Sequence, residues 1–194
     1  MKLADLTVGF ALTGSFCTFA SVLPQVQRLT EACKNVVPIL SEMSYSTDTR
    51  FGTAEHFRSQ LEGITGNSII HTIREAEPIG PKNLLDALII APCTGNTLAK
   101  LANGVTDSCV AMAAKANLRN ENPLLIAVST NDGLGNSAKN IGTLLNAKGV
   151  YFVPFTQDDP EGKHNSLVAR MELILPAMEA AAEHRQIQPI LYRG

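Results

Sequence analysis

Three polar runs in this chain each follow an apolar one and carry groups able to hold an anion: Thr13-Gly14-Ser15, Thr94-Gly95-Asn96-Thr97 and Ser129-Thr130-Asn131-Asp132. Hydroxyls, side-chain amides and free backbone N–H groups at a helix start suit a phosphate or a carboxylate. Ser41 ends a fourth apolar run and fits the same pattern. The stretch after it carries Ser44, Ser46, Thr47, Thr49 and Arg50. These hydroxyls and one guanidinium read either as an anion-holding loop or as a solvated one. Every residue in these runs also has a plainer reading as a cap or turn residue.

Other chemistries find less support. Cys17, Cys33, Cys93 and Cys109 have no C-x-x-C spacing, and His56, His71, His164 and His184 form no H-x-x-x-H pair, so no metal site is expected. The scattered thiols fit a reducing cytoplasm better than disulfides. Gly9 and Gly14 have the spacing of a phosphate-binding P-loop, but Ser15 stands where its Lys belongs. No G-x-G-x-x-G turn is present, so the usual nicotinamide-dinucleotide fingerprint is missing. A net charge of −2 without Lys/Arg runs argues against nucleic acid. No apolar run approaches the length of a membrane span, and Thr7–Leu12 is too short for a signal peptide.

The elements that must position these runs follow from apolar patterning. Buried strands are predicted at Thr7–Leu12, Val36–Leu40, Leu88–Ala91 (stopped by Pro92), Leu124–Val128 and Val150–Val153, with a short one at Ser68–His71. Ser15 should cap a helix with Phe16, Phe19, Ala20, Leu23 and Val26 inward, kinked at Pro24. Helices are also expected at Thr53–Glu62, after Thr94, after Thr106 or Asp107, and at Asn140–Ala147. A last helix should carry Leu167, Val168, Met171, Ile174, Leu175 and Met178, kinked at Pro176. Ser41–Gly52, Glu75–Lys82 and Phe155–Asn165 read as loops, and the tail 186–194 as loose or packed on a neighbour. Strands alternating with helices, without repeats or an internal boundary, predict one α/β domain over 1–194. It should be a doubly wound, mostly parallel, Rossmann-like three-layer sandwich, with its core at about 6–180.

Taken together, the runs resemble a known family. Thr13-Gly14-Ser15, Pro92 with Asn96-Thr97 (against a P-A-S-A-N-T signature), Ala99–Asp107 and Asn131 resemble the FMN-binding flavoproteins, which include cysteine decarboxylases and flavin prenyltransferase. Within that family, Gly9–Ser15, Thr47–Gly52, Ala76–Lys82, Ala113–Asn120, Ser129–Asp132, Tyr151–Phe155 and Asn165–Glu172 are similar to the B subunits of dipicolinate synthases of spore-forming bacteria. The decarboxylases carry a catalytic His shortly before the central strand. That place falls near Pro78 here, with His71 several residues away, and proline offers no proton.

What the resemblance implies is a sporulation-linked oxidoreductase subunit in the cytoplasm of the mother cell. It would help oxidise dihydrodipicolinate to dipicolinate with NADP, and the missing fingerprint leaves NADP mainly to a partner A subunit. FMN would be held by Gly14, Ser15, Ser41, Thr94, Asn96, Thr97, Ser129 and Asn131. The dicarboxylate would be held by Arg50, Lys82 or Arg170, and His164 and Asp132 are the candidates for a base. Self-association is implied as well. The alternatives are a stand-alone FMN enzyme of another class and a non-catalytic binding subunit on the same fold.

Overall fold

The computed structural model describes residues 2–192. Strand β1 spans Thr7–Leu12, and Val8 to Leu12 are buried without a break. A strand covered on both faces needs successive apolar residues rather than alternate ones. Gly9 belongs here because a Cβ would lie 2.6 Å from Leu85 Cδ1 and 2.8 Å from Leu88 Cδ1. The other strands are β2 (Asn35–Leu40), β3 (Ala87–Cys93), β4 (Leu124–Thr130), β5 (Val150–Phe152), β6 (Phe155–Thr156) and β7 (Leu167–Ala169). The sheet order is β2-β1-β3-β4-β7-β6, with β5 also on β4. Strands β1 to β5 pair in parallel, while β7 runs antiparallel to β4 and β6 antiparallel to β7.

The helices are α1 (Phe19–Ala32), α2 (Glu42–Ser46), α3 (Ala54–Thr65), α4 (Ile73–Ala76), α5 (Gly95–Ala102), α6 (Cys109–Arg119), α7 (Ala138–Leu145) and α8 (Ile174–Ala182). Helix α1 packs with α8, and α6 touches α4 and α5, which in turn meets α7. The sheet with its flanking helices is a Rossmann-like three-layer α/β sandwich. One apolar cluster runs through it from Leu6 to Ala182. Because β1, β3 and β4 are parallel neighbours, the runs that follow them emerge at one rim of the sheet.

Several expectations need correction. A 3-10 turn, Phe16–Thr18, precedes α1 and shifts its phase. The buried face is therefore Phe19, Val22, Val26 and Leu29, with Ala20 exposed. Strand β3 continues through Pro92 to Cys93, and its register with β4 shifts between Ile90 and Cys93, which accommodates a residue without an N–H. Ser68–His71 is no strand, only a bridge between Ile70 and Ile39. Ser41–Gly52 contains α2. The Glu75–Lys82 stretch holds a 3-10 turn and the end of α4, a helix started by the reciprocal bonds of Thr72 and Glu75. Ser108 caps α6, because Asp107 is drawn to Lys100 at 2.8 Å.

The largest difference lies near the C-terminus. Leu167–Ala169 forms β7 against Ser129 and Thr130, because β5 stops pairing at Ile126 and leaves the upper edge of β4 open. Helix α8 therefore begins at Ile174. Pro176 is its third residue, where no intrahelical N–H bond is lost and no kink is required. The described part of the tail lies on its own chain: Phe155 N–H donates to Ile190 O at 3.0 Å, and Tyr192 N–H to Phe155 O at 3.0 Å. The Gln186 side-chain amide also clasps Phe152, accepting its N–H at 2.8 Å and donating to its carbonyl at 2.7 Å. Residues 193 and 194 of that predicted tail lie outside the described residues.

Candidate functional site

Two hydrogen-bonded stitches assemble the rim. Thr13, fully buried at the end of β1, donates its hydroxyl to Pro92 O at 2.7 Å and accepts Thr94 N–H at 3.0 Å. This fixes the β1 run against the β3 run. The Ser15 and Ser129 hydroxyls, 2.8 Å apart, then tie the β1 run to the β4 run. Between them lies a crevice of about 750 Å³, a size typical of small-molecule and cofactor sites.

Gly14, Ser15, Thr94, Asn96, Ser129, Asn131 and Asp132 all line this crevice. Thr94 also caps α5, accepting Thr97 N–H at 3.4 Å. That leaves the first amides of α5, Gly95 and Asn96, without partners inside the helix and at the crevice wall. Ser15 does not cap a helix with its side chain, and its N–H is taken by Thr13 O at 2.7 Å. The donors left at that end are the hydroxyl itself and the first amides of the Phe16–Thr18 turn.

Gly95 packs its backbone directly on the β4 run. A Cβ there would lie 2.8 Å from Ser137 Oγ, 2.8 Å from Thr130 Oγ1 and 2.9 Å from Asp132 Oδ1. Asp132 Oδ1 accepts the Thr130 hydroxyl at 2.6 Å and the Ser137 hydroxyl at 2.7 Å. Those two bonds hold its carboxyl below the usual carboxylate range. A carboxylate so well satisfied is a weak proton acceptor and a good organiser of its turn.

The remaining sequence candidates lie elsewhere. Ser41 caps α2, accepting Ser44 N–H at 3.3 Å, and Thr97 is buried with its hydroxyl 3.2 Å from that of Thr94. Neither lines the crevice. Arg50 is exposed and lies over the Phe51 ring at 4.8 Å, although Thr49 and Phe51 do reach the crevice. Lys82 precedes β3 and so belongs to the opposite rim. Arg170 is paired with Glu172 at 2.7 Å and stacked 4.5 Å from the Tyr192 ring. His164 directs Nδ1 to Pro160 O at 2.7 Å. His71 stacks on Tyr45 at 3.7 Å with Nδ1 3.3 Å from Glu75, also away from the crevice.

Two groups in the crevice were not foreseen from the sequence. Phe16 and Phe51 add aromatic surface, and the β6–β7 loop contributes Asp158, Lys163 and Ser166. Asp158 also stays below the usual carboxylate range; burial opposes its charge, and bonds from Ser166 and Lys163 outweigh that. Burial disfavours the thiolate of the three buried cysteines, pushing Cys33 up to about 11 and Cys109 up to about 12 and raising Cys93 as well. Among the described residues, no group of three His, Cys, Asp or Glu is placed to hold a metal ion, and no helix is long and apolar enough to cross a membrane. Neutral hydroxyl and amide donors, aromatic faces and one lysine suit an aromatic ligand that also carries anionic groups.

The sheet, its rim and this crevice are those of a flavoprotein: the Flavoprotein family model matches residues 2–179, and the chain belongs to that family. It is 47% identical over 190 residues to the dipicolinate synthase B subunit of Bacillus subtilis (strain 168), covering 96% of this chain and 95% of the relative. The crystal structure of the dipicolinate synthase B subunit from Bacillus halodurans C superposes with a TM-score of 0.91 at 47% identity, over 100% of this chain and 99% of that one. The FMN binding protein AtHal3 shares the fold at 20% identity and a TM-score of 0.63, over 94% of this chain and 100% of its own.

Proposed function

We propose that this chain acts as the B subunit of a dipicolinate synthase, holding FMN in the three-run crevice and working with an A subunit. The observation that carries this reading is near-complete coverage at 47% identity to a dipicolinate synthase B subunit, joined to a crevice whose donors suit a flavin nucleotide. The reaction is oxidation of dihydrodipicolinate to dipicolinate with NADP. NADP rests mainly on the A subunit, since this chain lacks the glycine-rich turn that receives a pyrophosphate. The setting is the cytoplasm of a sporulating mother cell, and the working form is an oligomer, as in the dodecameric Ubix-like decarboxylase that shares the fold.

In this reading the Ser15 and Ser129 hydroxyls and the Phe16 and Cys17 amides would hold the phosphate. Thr94, Asn96 and Asn131 bond the ribityl chain or the ring edge, while Phe16 and Phe51 cover an apolar face. FMN, when bound, supplies a two-electron acceptor. The chain's own residues orient the substrate and keep water from the reacting face. Loss of two hydrogens makes the ring aromatic, so orientation and proton removal are the protein's main tasks. Asp132 is a positioning group in this scheme, because its charge is already committed to Thr130 and Ser137.

The test combines two measurements on purified protein: FMN binding by the chain, and NADPH formation from dihydrodipicolinate with and without the A subunit. The reading expects a yellow chain that binds FMN and shows full turnover only with the A subunit. Full turnover by the chain alone defeats the split site. A colourless chain that still supports the A subunit points to a binding role without flavin.

A further inference from the structure

Among the described residues, Lys163 is the one cation that lines the crevice. Its place follows from topology. Strand β7 runs antiparallel to β4 with Leu167 opposite Thr130, so the loop entering β7 stands at the carboxyl end of β4, where the other runs converge. That loop is closely tied. Lys163 N–H donates to Asp159 O at 2.7 Å, Ser166 N–H to Lys163 O at 3.0 Å, and Gln157 Nε2 to His164 O at 2.8 Å. The backbone of Lys163 is therefore held on both sides while its side chain remains 58% exposed.

The charge is only loosely engaged. Lys163 Nζ lies 3.3 Å from Asp158 Oδ2, longer than the roughly 2.7–2.9 Å of a firm charge-assisted bond. An incoming carboxylate at direct contact would compete well with that partner. The other crevice carboxylate, Asp132, is occupied by two hydroxyls and does not draw on the lysine. In the sheet order β1-β3-β4-β7 the loop sits beyond β4, whereas Gly14 and Ser15 sit on the far side of β3. The crevice thus combines neutral donors from the β1, β3 and β4 runs with one cation from the β6–β7 loop.

We propose that Lys163 is the carboxylate-binding residue of the crevice, selecting a planar ring that bears a carboxylate and leaving the neutral donors to the flavin phosphate. The assignment rests on the function proposed above and adds its substrate contact. It replaces Arg50, Lys82 and Arg170 in that role, none of which reaches the crevice.

The test titrates the purified full-length chain, saturated with FMN, with pyridine-2,6-dicarboxylate, pyridine-2-carboxylate and pyridine. Wild type, Lys163→Gln and Lys163→Arg are compared, and the affinities of each for FMN and riboflavin are measured. The expected result is tightest binding of the dicarboxylate and none of pyridine. Lys163→Gln should weaken dicarboxylate binding by at least about tenfold, with Lys163→Arg retaining most of it and flavin affinities unchanged. Equal dicarboxylate affinity in wild type and Lys163→Gln overturns the assignment alone. So does a loss of FMN but not riboflavin affinity, which would give the lysine to the phosphate. A wild-type chain that binds flavin but no pyridine carboxylate overturns the assignment and the proposed substrate together.

Discussion

The hydroxyl oxygens of Ser15 and Ser129 lie 2.8 Å apart, although the two residues are separated by 114 positions in sequence. They reach each other over the end of β3 and so bring the β1 and β4 runs to one crevice. A pair of hydroxyls in contact is able to turn outward together and present two donors to one anion. Ser15→Ala and Ser129→Ala should each lower FMN affinity by about tenfold, with unfolding midpoints near wild type. The double variant should lose less than the sum of the two, because each hydroxyl orients the other. Additive losses in a fluorescence titration would remove the coupling.

Asn96 and Thr97 are neighbours with opposite consequences. Asn96 is exposed at the crevice wall, whereas Thr97 is buried with its hydroxyl on Thr94. Asn96→Ala should weaken flavin retention and leave stability within about 0.5 kcal/mol of wild type. Thr97→Ala should cost about 1 kcal/mol of stability. Urea unfolding beside FMN titration separates the two, and a reversed pattern would exchange their roles.

Gly95→Ala tests the contact between α5 and the β4 run. The added methyl meets three oxygens at 2.8 to 2.9 Å, none of them at the far end of a long side chain. A loss of about 1–3 kcal/mol is expected, together with weaker FMN binding as the two walls move apart. A variant as stable as wild type would show that the turn yields easily.

Asp132 gives the pH dependence. Its folded-state carboxyl lies below its ordinary value of 3.8 because Thr130 and Ser137 donate to it. Its stabilising contribution is therefore complete above that ordinary value and disappears as pH falls through the lower folded-state one. Asp132→Asn should lower stability at pH 7 and flatten its decline in acid. Parallel stability curves for the two proteins between pH 7 and pH 2 would falsify the assignment of that charge to the turn.

Arg50 makes a control. A guanidinium is the sequence's natural answer to a dicarboxylate, yet this one rests on Phe51 outside the crevice. Arg50→Lys should leave the KM for dihydrodipicolinate unchanged in the two-subunit assay. A clear rise in KM would bring Arg50 back to the substrate.

The five parallel strands and the convergence of Ser15, Asn96 and Asn131 were legible because local patterns produce them: unbroken apolar runs, each ended by a cap or turn. Tertiary demand set what was not legible. Leu167-Val168-Ala169 looks helical beside Met171 and Ile174, but the open edge of β4 draws it into a strand. That one change carries Lys163 to the rim, so its role was not apparent from the sequence. Ser41 and Thr97 fit both a helix-end role and a ligand role by residue type, and only the structure shows Ser41 capping α2 and Thr97 buried against the cap residue Thr94. Thr13 stood in the first polar run as a candidate anion-holding group, and only its partners reveal that it stitches two runs together instead.

The clasp of Gln186 on Phe152 reaches beyond the crevice. One side-chain amide meets both main-chain groups of Phe152 in the last parallel strand, as a residue of a neighbouring strand would. Without it, that row of donors and acceptors would be open to recruitment by another molecule. Shortening the chain before Gln186 should therefore show itself first as clumping on storage, with the chemistry of individual molecules still intact.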